Sequence, residues 1–265
     1  MKLNNKWLAV LLLLTVMPLS GCGFMQKLRA RDYLNKGVKA FTDQKYDAAA
    51  QYFQKTLEMD PDFEIARMYL ATAYTSQFVP GSTDPKSEEM AKRAIETFKE
   101  VVARAEDPAK ANRDAMLSVA SLYYQLKKYP ESKEWCNKAI ALDPKNPEAY
   151  YRIAVMDYDD VAERTGIQGE NVEFMTPEEK QAALVNIEEG LKNIAKAIEV
   201  PPDYFDALEY QNLLWREKAK FETDERAKAD LIRQADMVAL KSLELRRKAM
   251  EEEAKRPKKL GIGGQ

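Results

Sequence analysis

Lys45-Tyr46-Asp47-Ala48-Ala49-Ala50-Gln51-Tyr52-Phe53-Gln54-Lys55-Thr56-Leu57-Glu58-Met59-Asp60-Pro61 is the stretch on which the reading of this chain turns. Coiled as a helix, it sets Tyr46, Ala49, Phe53 and Leu57 in one apolar stripe, because residues three and four apart share a face. Asp60-Pro61 ends it, since proline lacks an N–H and clashes with the preceding turn. A version returns as Lys128-Tyr129-Pro130-Glu131-Ser132, running through Trp135-Cys136-Asn137-Lys138-Ala139-Ile140-Ala141-Leu142 to Asp143-Pro144. A single amphipathic helix of this kind cannot bury its own stripe. A helical unit that recurs with the same internal spacing predicts an array in which each unit covers the next.

Composition agrees with a helix-rich body. Of 265 residues, 45% are hydrophobic and 32% charged, with 10 glycines and 12 prolines, which separates the chain from disordered sequences. There is no histidine, so the commonest general acid–base group and zinc ligand is missing. No paired-carboxylate motif, metal-ligand spacing, nucleophile signature or phosphate loop stands out, and no enzyme, cofactor or metal is expected. The formal charge of −2 is not that of a nucleic-acid binder.

The N-terminus carries a separate message. Lys2 and Lys6 precede the apolar run from Trp7 to Met17, which is short for a membrane span and has the proportions of a signal peptide. It ends in Leu19-Ser20-Gly21-Cys22, which resembles the lipobox of bacterial lipoproteins. That resemblance implies removal of residues 1–21, a diacylglycerol on the Cys22 sulfur, a tether to the membrane, and 39 basic against 43 acidic residues in the remainder. Two or three acyl chains anchor stably where one does not. Gly23 stands where an inner-membrane retention signal would often place Asp, so the expected residence is the outer membrane, facing the periplasm. Residues 22–29 are expected to form the lipidated N-terminus and a short linker.

Between about residues 30 and 254 the chain resembles the tetratricopeptide repeat family, in which each repeat is a helix pair. The first repeat supplies Tyr33, Gly37, Phe41, Tyr46, Ala49, Phe53, Leu57 and Pro61; the second Leu70, Ala71, Tyr74, Ala94, Phe98 and Val101. The third gives Val119, Ala120, Tyr123, Tyr129, Ser132, Cys136, Ala139 and Pro144, and the fourth Ala149, Tyr150, Ile153, Ala154, Tyr158, Gly190, Ile194, Ala197 and Pro202. A fifth pair is marked by Ala207, Leu208 and Trp215, with Asn212 where a small residue is usual. The resemblance implies an all-α, right-handed superhelical solenoid of about five pairs, with Gly37 facing Ala49 and Ala120 facing Ser132 at close helix crossings. A long charged helix from about Asp224 to Ala254 is expected to cap it. Cys136 takes the place of a core phenylalanine and is expected to be a buried thiol.

Two interruptions fall between paired helices, Val79 to Pro85 and about Asp159 to Met175; they are expected to be surface loops or a second contact surface. Thr176-Pro177-Glu178-Glu179 then restarts a helix with a capping residue and an early proline. Asp157, Asp159 and Asp160 lack the spacing of a calcium loop and read as a solvated helix end. Residues 255–265, basic and then glycine-rich, are expected to form a disordered tail.

In the family the first helix of each pair lines a groove that takes peptides or partner helices. Carried over, that lining is Leu34, Val38 and Phe41, then Met68 and Thr72, then Leu117, Ser121 and Tyr124, then Tyr151, Val155 and Tyr158. The family's clamp for acidic C-termini needs Lys and Asn where Leu34 and Val38 stand. An aromatic, apolar lining suits an apolar peptide stripe or an amphipathic helix. The expected function is a membrane-anchored interaction scaffold whose partners are other envelope proteins; the alternative is a carrier of a small apolar ligand or lipid in the groove.

Overall fold

The computed structural model describes the backbone of residues 5–255 and, Lys110 apart, the side chains from Gly23 to Lys255. The Cys22 side chain and residues 256–265 of the expected tail lie outside the described residues. Among the described residues there are ten α-helices, two single 3₁₀ turns and no strand. No described helix is long and apolar enough to cross a membrane. The chain forms two compact units, Met1–Lys128 and Tyr129–Gln265.

The first unit holds α1 (Asn5–Thr42), α2 (Tyr46–Met59), α3 (Glu64–Thr75), α4 (Pro85–Ala103) and α5 (Arg113–Gln125). Residues 22–29, expected as a linker, lie inside α1. The quoted stretch is α2. It stops at Met59, ahead of Asp60-Pro61, and buries Ala49, Ala50, Phe53 and Thr56. The α1–α2 turn reverses through Gln44 at φ +59°, with the Lys45 amide donating to Ala40 O and Gln44 to Phe41 O. The turn after α5 repeats this: Lys127 has φ +56°, and Lys128 and Lys127 donate to Tyr123 O and Tyr124 O. One left-handed residue thus satisfies the last carbonyls of both helices. The recurrence visible between the two stretches is therefore also a recurrence of turn geometry.

Two helices of this unit start on capping side chains. Asp84 accepts from the Lys86 amide and Asn112 from the Ala115 amide, while Pro85 takes the first turn of α4, where its missing N–H costs nothing. Buried Arg67 of α3 donates to Pro61 O at 2.7 Å and faces Glu100 of α4 at 3.4 Å, tying the turn after α2 to the next helix pair.

The second unit holds α6 (Tyr129–Leu142), α7 (Pro147–Thr165), α8 (Pro177–Glu199), α9 (Phe205–Lys220) and α10 (Glu225–Lys255). Its core joins Ala154 and Val161 of α7, Ala183, Ile187, Leu191, Ile194 and Ala197 of α8, and Ala207 and Leu214 of α9. Helix α8 opens with a complete capping box, Thr176 Oγ1 accepting from the Glu179 amide and Glu179 from the Thr176 amide. The second interruption is shorter than the sequence suggests. Helix α7 continues to Thr165 before Gly166 breaks it at φ +78°. Helix α10 packs along α9, where Arg216 donates to both Asn212 Oδ1 and Asp236 Oδ1, so the polar Asn212 is used to hold the closing helix. The outward face of α10 carries exposed Met237, Leu240, Leu243 and Met250.

The close crossing in the first unit is set by Gly37, and the atoms nearest to it belong to Phe53. A β-carbon on Gly37 would lie 2.5 Å from Phe53 Cε1 and 2.7 Å from Cδ1. The ring of Phe53, itself fully buried and stacked on Tyr69 at 5.4 Å, fills the space that glycine leaves. Gly37→Ala gains about 1 kcal/mol of helix propensity but forces a rigid ring aside, at roughly 1–3 kcal/mol. We expect a net loss of about 1 kcal/mol in urea denaturation; a gain in stability would show that the ring yields freely.

Candidate functional site

The positions expected to line a groove separate into those the fold presents and those it packs away. In the first unit Met68 and Thr72 of α3 line a concavity of about 300 Å³ with Glu64, Ile65, Tyr69 and Asn112. The Asn112 amide approaches Met68 Sδ at 3.8 Å. Ile65 and Tyr69, both exposed and absent from the expected lining, form part of its wall. Leu34, Val38, Leu117, Ser121 and Tyr124 are outside this lining. Phe41 turns its ring edge to Tyr46 of α2 at 5.2 Å and so packs within its own helix pair.

In the second unit Val155 is buried, a correction to its place in the lining, because it falls on the inner side of α7 between Ala154 and Met156. Tyr151 and Tyr158 of α7 are half-buried and meet two tyrosines that the repeat pattern did not single out. Tyr151 lies 5.2 Å from Tyr204 and 5.5 Å from Tyr210, and Tyr158 lies 5.6 Å from Tyr210. The two Tyr210 contacts are edge-to-face, the arrangement that aligns ring edge with ring face. Four rings thus form one face on α7 and α9. The only signal in the sequence was tyrosine at Tyr204, just before the last helix pair, and at Tyr210 within its first helix.

Neighbouring charge positions this face. Tyr204 Oη donates to Glu148 Oε2 at 3.2 Å, while Glu148 Oε1 accepts from Arg152 Nε at 2.8 Å. The start of α9 is pinned by α10: Ser242 Oγ donates to Phe205 O at 2.8 Å, and Arg246 pairs with Asp206 and Glu209. The hydroxyls of Tyr151, Tyr158 and Tyr210 make no hydrogen bond to a described residue, which leaves three donors on an aromatic surface. Burial, then Tyr210 and the Asp206 and Glu148 carboxylates, push the Tyr151 phenol up to about 12. Burial and nearby carboxylates raise Tyr158, Tyr204 and Tyr210 as well. All four are neutral donors at physiological pH.

Other candidate groups have structural surroundings. Cys136 is fully buried, and loss of solvation lifts its thiol to about 12, far from a reactive thiolate. Among the described residues no cluster of acidic or cysteine side chains could hold a metal ion.

The family models described as Tetratricopeptide repeat and TPR repeat match residues 34–77 and 120–156. These two segments therefore match tetratricopeptide repeats. A solved structure of MamA protein is 18% identical over 85% of this chain and 96% of its own, with a TM-score of 0.57. A MamA structure from Desulfovibrio magneticus RS-1 is 15% identical over 83% and 96%, with a TM-score of 0.55. At these identities the likeness is one of fold. A search of curated proteins found no match.

The acidic trio is not the solvated helix end expected of it. Asp157 is fully buried in mid-helix, ion-paired with Lys133 of α6, which also lies 3.6 Å from Glu189 of α8. Asp160 pairs with Arg164 and accepts from Asn186. Gly190 of α8 leaves room for Asp157, whose Cβ would be 3.1 Å from an added methyl. Burial raises the Asp157 carboxyl to about 7 against the opposing pull of Lys133, and its Oδ2 has no hydrogen-bond partner. Because the folded value lies above the unfolded one of about 4, its favourable contribution is complete below pH 4 and is lost as pH rises through 7. Relative to Asp157→Asn, the native chain should lose up to about 1 kcal/mol per pH unit across that window. Urea denaturation from pH 4.5 to 7.5 on both proteins measures this; parallel curves would show that Asp157 stays ionised throughout.

Proposed function

We propose that this chain is a lipid-anchored interaction scaffold of the bacterial cell envelope, holding peptide or helical segments of other envelope proteins against its first-helix surfaces. The observation that carries the reading is the tyrosine face of α7 and α9, where four half-buried rings meet and three hydroxyls make no hydrogen bond to a described residue. Rings of this kind offer large contact area at small entropic cost, and their hydroxyls hydrogen-bond without adding charge. In the first unit the Met68–Thr72 concavity supplies a smaller apolar seat. The surroundings hold no catalytic constellation of nucleophile, base and orienting group; binding is the chemistry this surface supports.

Anchoring rests on the lipobox-like Leu19-Ser20-Gly21-Cys22 behind its apolar run. Acylation of Cys22 would hold the repeats at a membrane surface, and Gly23 favours delivery to the outer membrane. In a bacterial host fed an alkyne-tagged fatty acid, the full chain is expected to take up label and Cys22→Ala to take up none. Equal labelling of both would remove the anchor from the reading.

The binding claim is tested by crosslinking the full-length protein in native membranes beside Tyr151→Ala/Tyr210→Ala. Removing two aromatic anchors from one face is expected to reduce capture of a discrete envelope protein by about tenfold or more. Unchanged capture by a variant that is still helical by circular dichroism would place binding elsewhere.

A further inference from the structure

Residues 166–176, between α7 and α8, expose two large apolar side chains, Ile167 at 93% and Phe174 at 78%. A loose loop would fold such groups inward. This one is tied to the core at several points. Thr165 is fully buried, and its hydroxyl donates to Glu217 Oε2 of α9 at 2.8 Å. Lys220 joins Glu217 Oε1 to Gly166 O, at 2.7 Å each.

The rest of the loop is equally determined. Gly166 and Gly169 turn it at φ +78° and +83°, conformations that favour glycine. The aliphatic stem of Lys220 passes under Gly169, where an added Cβ would lie 3.2 Å from it. The Asn171 amide returns to Thr165 O at 3.1 Å, Glu170 accepts from the Gln168 amide at 2.9 Å, and Val172–Phe174 closes a 3₁₀ turn. Met175 then packs against the core of the second unit. Burying a charged pair beneath a surface loop is costly unless both ions are well bonded. Here they are, and they hold the loop with its apolar tip outward.

The same edge carries an excess of acid, although Lys180 follows it directly and Lys220 runs beneath it. Between Gly166 and Glu179 there are four exposed carboxylates, Glu170, Glu173, Glu178 and Glu179, and no lysine or arginine. Such a field favours a basic counterpart and disfavours the anionic surface of a bilayer.

We infer that this edge is a second contact surface, on which Ile167 and Phe174 pack against an amphipathic segment of a protein partner whose apolar stripe is bordered by Lys or Arg. It is independent of the tyrosine face. A fixed loop binds with little ordering cost, which leaves more of the contact energy of its two apolar anchors for affinity.

A random-peptide display library selected on the full chain and counter-selected on Ile167→Ser/Phe174→Ser tests it. The retained peptides should combine apolar residues at helical spacing with an excess of Lys and Arg. As synthetic peptides they should bind the wild type about tenfold or more tighter than that variant, and tighter at low salt than at high salt. Glu170→Gln/Glu173→Gln, which keeps the apolar tip, should weaken them by a few-fold (~3), and Tyr151→Ala/Tyr210→Ala should not weaken them. An unchanged urea midpoint for the exposed-site variants keeps folding out of the result. The inference is overturned if no peptides distinguish wild type from the Ile167/Phe174 variant, or if those that do carry no basic excess. It is overturned equally if binding to phosphatidylcholine vesicles is what that variant loses, which would assign the tip to a bilayer.

Discussion

Close approach of paired helices is the constraint on which the rest of this structure depends. An amphipathic helix can bury its stripe only where a neighbour's backbone comes near enough for side chains to interlock, and near approach needs a position without bulk. Gly37 provides it for α1 and α2, where the freed space is taken by the Phe53 ring. Gly190 provides it for α8, with Leu214 of α9 at 3.0 Å and Asp157 of α7 at 3.1 Å from where its β-carbon would be. The glycines are therefore paired with what fills them, and a small residue on one helix licenses a large one on the other.

The second unit uses that room for polar as well as apolar groups. Asp157 with Lys133, and Glu217 with Lys220 and Thr165, place charged side chains where burial penalises them. Each network fixes something that apolar packing leaves free. The first joins α6, α7 and α8 through Lys133, which reaches both Asp157 and Glu189. The second determines the course of the loop after α7. Apolar contacts are nearly non-directional, whereas a bonded ion pair accepts one geometry. That difference explains why an exposed, hydrophobic-tipped loop can be held in a single shape.

Much of the helical organisation was legible. The stripe of α2, its end before Asp60-Pro61, the capping box at Thr176 and the burial of Cys136 all followed from local spacing and side-chain chemistry. The candidate site was legible in part. Tyr151 and Tyr158 were placed in the lining by the repeat resemblance, which singled out neither Tyr204 nor Tyr210 of a different helix pair. No spacing within a single helix could have paired them. Val155 is buried for a related reason: a helix has two apolar-compatible sides, and only the neighbours determine which of them remains open.

Sequence alone determined the recurrence of the helices and those ends that proline or a capping side chain marks, because capping, proline exclusion and apolar periodicity act within a few residues of chain. Tertiary structure decided what those rules cannot reach. It set the Phe53 ring against Gly37, carried α7 past Asp157 and enclosed that carboxylate, and gathered four tyrosines into one surface. Each of these outcomes depends on which faces meet across helices, and the energy of that meeting belongs to pairs of residues far apart in sequence.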